Sequence, residues 1–195
     1  MNKFLTISYF DKAFKLTVRR VQEEISELTG SRACLETHEP HLTVGSGVVV
    51  APEKINDFYM KLENALRDIK PFKLSVVQFK FLGYPRVIQY LAKRNRRYVI
   101  YLKVKKNKDL MRLVLNLRKV NAEHKKFYRQ PWRYYVPHIT VAFDDLSYEG
   151  YIKAKKIWKE RMFSADVTIN SVSIAVAGDD GKFVEHRQFS FGVVA

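Results

Sequence analysis

Apolar positions along the chain alternate between two periodicities, and the alternation occurs twice. Lys3–Tyr9 is an apolar run read as a strand. Phe14, Val18, Val21, Ile25 and Leu28 then recur at steps of four and three, a single stripe that predicts an amphipathic helix, with Gly30 placed as its C-terminal glycine. Pro40-His41-Leu42-Thr43-Val44 follows, and a β-branched run continues to Val50. Pro52 opens a second predicted helix with Ile55, Phe58, Tyr59, Leu62, Leu66 and Ile69 on one face. Phe72–Phe81 reads as a strand whose alternation breaks at Val76-Val77, which predicts a bulge there.

The second half repeats this order. Tyr98, Ile100, Leu102 and Val104 alternate as a strand. A helix is expected over about Lys108 to Ala122, with Leu110, Leu113, Val114, Leu117 and Val120 inward. Pro137-His138-Ile139-Thr140-Val141 comes next. Ser147 then caps a helix carrying Tyr151, Ala154, Ile157, Trp158 and Arg161. Two closing strands are expected, Ala165–Ala177 and Phe183–Phe191, joined by a Gly178-Asp179-Asp180-Gly181 hairpin turn. A unit that occurs twice predicts one α+β domain over 1–195 made of two pseudo-symmetric lobes, about 1–85 and 97–195. The polar, basic stretch 83–97 would cross between them.

Composition narrows the class. The chain of 195 residues is 47% hydrophobic and 28% charged, ordinary for a globular domain. No stretch approaches the roughly 20 apolar residues of a membrane span, and the opening run is too short for a signal peptide. A cytoplasmic location is therefore expected, with no membrane partner. Cys34 stands alone, so no internal disulfide can form; it reads as a small apolar filler. The net charge of +15 points to a polyanionic partner. Residues 1–85 carry 12 Lys and Arg against 10 Asp and Glu, and residues 86–195 carry 23 against 10. Solubility requires no such asymmetry, whereas a binding face for RNA or RNA-derived nucleotides produces it.

Chemistry enters with the two short motifs. On a strand, positions i and i+2 share a face. His41 and Thr43 therefore emerge together while Leu42 turns into the core, and His138, Thr140 and Ile139 do the same. Two such strands facing each other put two imidazoles and two hydroxyls around one small space. Breaking a P–O bond needs a proton taken from the attacking oxygen and another given to the leaving oxygen, and histidine titrates in the right range for both. Threonine hydroxyls can donate to the non-bridging oxygens. This set requires no metal. A lone His-x-Thr carries little information; two in matching contexts, each after Pro and before Val, carry far more.

On these motifs, the opening strand and the first long helix, the chain resembles the 2H phosphoesterase superfamily, in particular the bacterial and archaeal RNA 2′,3′-cyclic phosphodiesterases, also called 2′-5′ RNA ligase-like proteins. The resemblance implies a bilobal two-histidine fold of antiparallel sheet and helices around a basic central cleft. It also implies catalytic roles for His41, Thr43, His138 and Thr140, no cofactor, and RNA ends or cyclic nucleotides as substrates. A basic RNA-end sensor without turnover is the rival reading, and a 2H enzyme for a small cyclic nucleotide is the third. Intact histidines and threonines argue against the sensor.

Other residues extend the picture. Phe127-Tyr128-Arg129-Gln130-Pro131-Trp132-Arg133-Tyr134-Tyr135 leads into the second motif, and arginine interleaved with aromatics suits single-stranded RNA. Arg129, Arg133 and Tyr135 are the expected substrate contacts. Lys93–Arg97, Lys103–Lys108 and Lys153–Lys156 are charge runs, expected to be mostly solvated faces. His38-Glu39-Pro40-His41 lacks the spacing of a metal motif, so no metal is expected. His124 and His186 are expected at the surface, and Asp144-Asp145 in the turn before the next helix. The chain is expected to be a monomer.

Overall fold

The computed structural model describes residues 2–37, 39–83, 98–128, 135–177 and 183–192. The chain runs β1 (Asn2–Tyr9), α1 (Lys12–Thr29), α2 (Ala33–Thr37), β2 (His41–Thr43), β3 (Gly47–Val50), a 3₁₀ turn (Pro52–Lys54), α3 (Ile55–Leu66), β4 (Phe72–Gly83), β5 (Tyr98–Val104), α4 (Lys108–Ala122), β6 (Lys125–Tyr128), β7 (His138–Ala142), α5 (Tyr148–Trp158), β8 (Met162–Ile169), β9 (Ser171–Ala177) and β10 (Phe183–Ser190). Local chemistry sets the helix ends. The side chains of Asp11, Asn107 and Ser147 accept from Phe14, Leu110 and Gly150 N–H at 2.8, 2.9 and 3.0 Å, satisfying donors the first turns would otherwise leave open. Gly30 ends α1 in the left-handed region, φ 77°, where its N–H reaches the Ser26 carbonyl.

The strands form two sheets. The six-stranded sheet has the order β10-β9-β1-β3-β6, with β2 also on β1; the four-stranded sheet has the order β7-β5-β4-β8. All the pairings are antiparallel. The α+β, two-lobed architecture is as expected, but the lobes are not the two halves of the chain. β4, from the first half, lies in the four-stranded sheet with β5, while β6, β9 and β10, from the second half, complete the six-stranded sheet around β1. The boundaries 1–85 and 97–195 are corrected accordingly. The expected strand 165–177 is two strands, because the chain leaves β4 after Ile169 and joins β1 from Ser171, with only Asn170 between. Pro52 opens a 3₁₀ turn before α3 rather than the helix itself. The bulge expected at Val76-Val77 is present, as a register shift between Val76 and Gln78 against both neighbours of β4.

The helices exchange as well. α1, which follows β1, packs on β7 and α5 beneath the four-stranded sheet, while α4 packs on α3. Phe4 of β1 rests on Phe58 and Tyr59 of α3, with ring centroids at 5.7 and 6.2 Å. Phe79 of β4 meets Trp158 of α5 edge-on at 4.9 Å. Arg161 lies beyond α5 rather than on it, stacked 4.1 Å from the Trp158 ring and paired with Glu24 of α1. One continuous core thus binds both sheets and fixes how their edges face.

Candidate active site

Each motif sits on a strand at the rim of its sheet. β7 is the edge of the four-stranded sheet, and β2 pairs with β1. Along both strands the burial pattern alternates as the sequence requires. Leu42 and Ile139 are 0% exposed, each contributing about 2 kcal/mol of burial, while His41, Thr43, His138 and Thr140 are half-buried on the other face. β2 lies directly against β7, so the structure brings the two motifs together.

The two histidines are held in the same way. His41 Nδ1 is 2.8 Å from the carbonyl oxygen of Glu39, and His138 Nδ1 is 2.7 Å from that of Val136. In each case the acceptor lies two residues upstream, across the motif's proline. A carbonyl only accepts, so Nδ1 carries the proton and Nε2 is the nitrogen whose proton comes and goes. Burial lowers the pKa of His138 below the ordinary imidazole value, against the opposing pull of the Val136 carbonyl.

A tyrosine flanks each imidazole. Tyr9 stands opposite His41 in the β1–β2 register, with ring centroids 6.5 Å apart and near-perpendicular planes. Tyr101 stands opposite Thr140, its ring 5.1 Å from that of His138. Burial, with Glu185 and Glu39 adding to it, pushes the Tyr9 phenol up to about 12, and burial raises Tyr101. Both are neutral hydrogen-bond donors at neutral pH. Lys103 is directly opposite His138, with Gln78 and Lys80 opposite Lys103 and Tyr101 on β4. A cation therefore shares the strand face of the second histidine. Sequence reasoning did not single out Tyr9, Tyr101, Gln78 or Lys80, because cross-strand register brings them to the motifs.

Supporting contacts surround this set. Lys15 bonds the Glu39 carboxylate at 2.7 Å and lies 4.8 Å from the Tyr9 ring centre, holding the residue whose carbonyl orients His41. Tyr135, expected to touch substrate, is 1% exposed, and its hydroxyl donates to the Thr43 carbonyl at 3.1 Å. That expectation is corrected: Tyr135 has almost no surface to offer a ligand and acts by holding β2. Arg129 and Arg133 lie outside the described residues, as do His38, the run Lys93–Arg97, residues 84–97 of the expected crossover and the Gly178–Gly181 turn.

Other candidates fall away from the site. The Asp145 carboxylate accepts from Ser31 Oγ at 2.6 Å and from Arg32 and Ala33 N–H at 2.7 and 3.0 Å, capping α2 rather than orienting a histidine. Lys153–Lys156 ride on α5, beneath the sheet face opposite to His138. His186 is exposed, but His124 is half-buried edge-on to Phe58 at 5.1 Å. Cys34 is buried, its thiol pushed up to about 12 chiefly by that burial, which makes it inert filler. Among the described residues no group of three or more His, Cys, Asp or Glu could hold a metal ion, and no helix is long and apolar enough to cross a membrane.

Comparison with known proteins gives a consistent result. The family model described as the 2′-5′ RNA ligase superfamily matches residues 10–181. The fold is similar to that of TT0787 of Thermus thermophilus, with a TM-score of 0.65 and 14% identity over 97% of this chain and 98% of that one. It is also similar to E. coli LigT complexed with 3′-AMP, with a TM-score of 0.62 and 13% identity over 97% and 98% of the two chains. LigT complexed with NADP+ gives a TM-score of 0.62 and 12% identity over 98% and 99%. No curated protein matches the chain in sequence.

Proposed function

The chain belongs to the 2′-5′ RNA ligase superfamily of 2H phosphoesterases, and from that premise we propose that it is a metal-independent phosphodiesterase acting on RNA 2′,3′-cyclic phosphate ends or 2′-5′ linkages by paired-histidine acid–base catalysis. One observation carries the reading: two imidazoles on adjoining strands, each with Nδ1 tied to the carbonyl two residues upstream. That constraint dedicates both Nε2 atoms to proton transfer.

In the hydrolytic direction water attacks the cyclic phosphate and gives its proton to one Nε2. As the new P–O bond forms, one ribose P–O bond breaks, and the other Nε2 donates its proton to the departing ribose oxygen. The base must start neutral and the acid charged. Burial favours the neutral form of His138, which suits His138 to the base role. Thr43 and Thr140 hydroxyls donate to the non-bridging oxygens, and Lys103 supplies a positive charge on the same strand face. An RNA hydroxyl in place of water gives ligation through the same proton transfers. LigT, a similar fold, has been crystallised with 3′-AMP and with NADP+, which supports a nucleotide as the ligand. The test is incubation of the pure protein, with chelator present, with an RNA ending in 2′,3′-cyclic phosphate; conversion to a monophosphate end is expected.

A further inference from the structure

The face of the six-stranded sheet that carries His41 and Thr43 continues past them along β1. Tyr9, Ile7 and Leu5 share that face, because Tyr9 opposes His41 and Ile7 opposes Thr43. Ser173 and Ala175 of β9 stand beside Ile7 and Leu5, and Glu185 of β10 stands beside Ala175. Leu5, Ile7 and Ala175 are buried in an apolar cluster separate from the main core, covered by Tyr9 and Phe183, which are themselves only partly buried. The Phe127 ring stacks on Phe183 at 6.4 Å with planes 14° apart, and Phe127 is 40% exposed. Gly47 makes room for that ring, since a Cβ there would come within 2.5 Å of it.

Glu185 is an unexpected charge on the sheet face that carries His41 and Thr43. Among the described residues it is the only carboxylate on any strand of this sheet. It is exposed, its Oε1 accepts from Ser173 Oγ at 2.5 Å, and a bulge follows it directly on β10. Bulges re-aim side chains beside functional sites. Glu185 also lies near enough to Tyr9, the residue opposite His41, to add to the burial that raises its phenol. From Thr43 on β2 to Glu185 on β10 is two residues of rise, about 7 Å, and three strand spacings, about 14 Å, a span that the Glu185 side chain and an extended nucleotide close between them.

We propose that this face is the nucleobase subsite of the phosphodiesterase site, with the base stacked against the Phe127–Phe183 pair and Glu185 reading guanine. The proposal rests on the phosphodiesterase reading for the position of the phosphate. Guanine is the base whose Watson–Crick edge offers two adjacent donors, N1–H and the N2 amino group, and a carboxylate accepts both at once. Adenine and cytosine offer one amino group beside a bare ring nitrogen, and uracil a single N–H between carbonyls, so each sets an acceptor against a carboxylate oxygen. Substrates ending in guanosine are therefore preferred.

The test compares kcat/KM for the four nucleoside 2′,3′-cyclic phosphates and, independently of turnover, calorimetric binding of 3′-GMP and 3′-AMP. The wild type is expected to favour guanosine over adenosine by roughly 10–100-fold in both. Glu185→Gln should bring that ratio toward one. Phe127→Ala, or Gly47→Ala, which displaces the ring, should raise KM for every nucleotide more than it lowers kcat. Equal kcat/KM across the four bases, or a guanosine preference that survives Glu185→Gln, would overturn the subsite. If no cyclic phosphate turns over, the phosphodiesterase reading fails on its own. Tighter binding of 3′-GMP, lost in Glu185→Gln, would still support the base subsite, and equal or absent binding would overturn it.

Discussion

The hydroxyl of Tyr135 donates to the carbonyl of Thr43 at 3.1 Å. A side chain three residues before the second histidine thus holds the strand that bears the first, and the two motifs are braced directly as well as through the core. Tyr135→Phe removes this bond. The loss should cost about 1–2 kcal/mol in urea-induced unfolding. It should also lower kcat several-fold with KM little changed, because the geometry between the motifs loosens while the binding groups remain.

The lowered pKa of His138 gives two pH signatures. In the unfolded chain the imidazole titrates near 6.5, and in the folded protein it titrates below that. As pH falls through 6.5 the unfolded state binds the proton first, so stability declines from its neutral-pH level until the folded pKa is passed. His138→Asn should flatten that part of the stability curve. The acid limb of kcat/KM should have its midpoint below 6.5, since the base must be neutral, and the full profile should be bell-shaped and belong to the coupled pair.

Thr43→Val and Thr140→Val keep shape and remove the donor. Each is expected to lower turnover roughly 10–10³-fold, in the range of a lost oxyanion donor. Both residues are half-buried on the site face, so thermal melts should show little change.

Lys103→Ala tests the cation opposite His138. The expected result is a KM for an RNA substrate raised roughly 3–10-fold, and a log–log salt dependence of binding that is shallower by about one. An unchanged salt slope would place Lys103 away from phosphate.

Gly45 joins β2 to β3, and its N–H and that of Val44 both reach the Thr6 carbonyl, at 3.2 and 3.1 Å. A Cβ there would lie 2.9 Å from Thr6 Cβ and 3.0 Å from Asn121 Nδ2, both buried. Gly45→Ala should destabilise the fold by about 1–3 kcal/mol through overpacking, and lower activity by displacing β2.

What the sequence made legible was local. The α1 stripe, the glycine after it, the Ser147 cap, the bulge in β4 and the alternation through both motifs depend on neighbours a few residues away, and all are present. What it hid depends on partners distant in sequence. A single residue, Asn170, separates a strand on β4 from a strand on β1, and no composition change marks it. β6 opens on two lysines and reads as polar, yet it completes the six-stranded sheet on β3. Tyr9 and Tyr101 reach the histidines by register across strands, and Tyr135 reads as a rim aromatic until its burial is seen.

The paired-histidine claim is tested most directly by end-group conversion of an RNA 2′,3′-cyclic phosphate with wild type, His41→Ala, His138→Ala and the double variant, chelator present throughout. Each single change is expected to lower turnover about 10²–10⁴-fold with the fold intact, and the double change little further, because acid and base act as one unit. Near-full activity in either single variant, or losses that multiply in the double, would contradict the account.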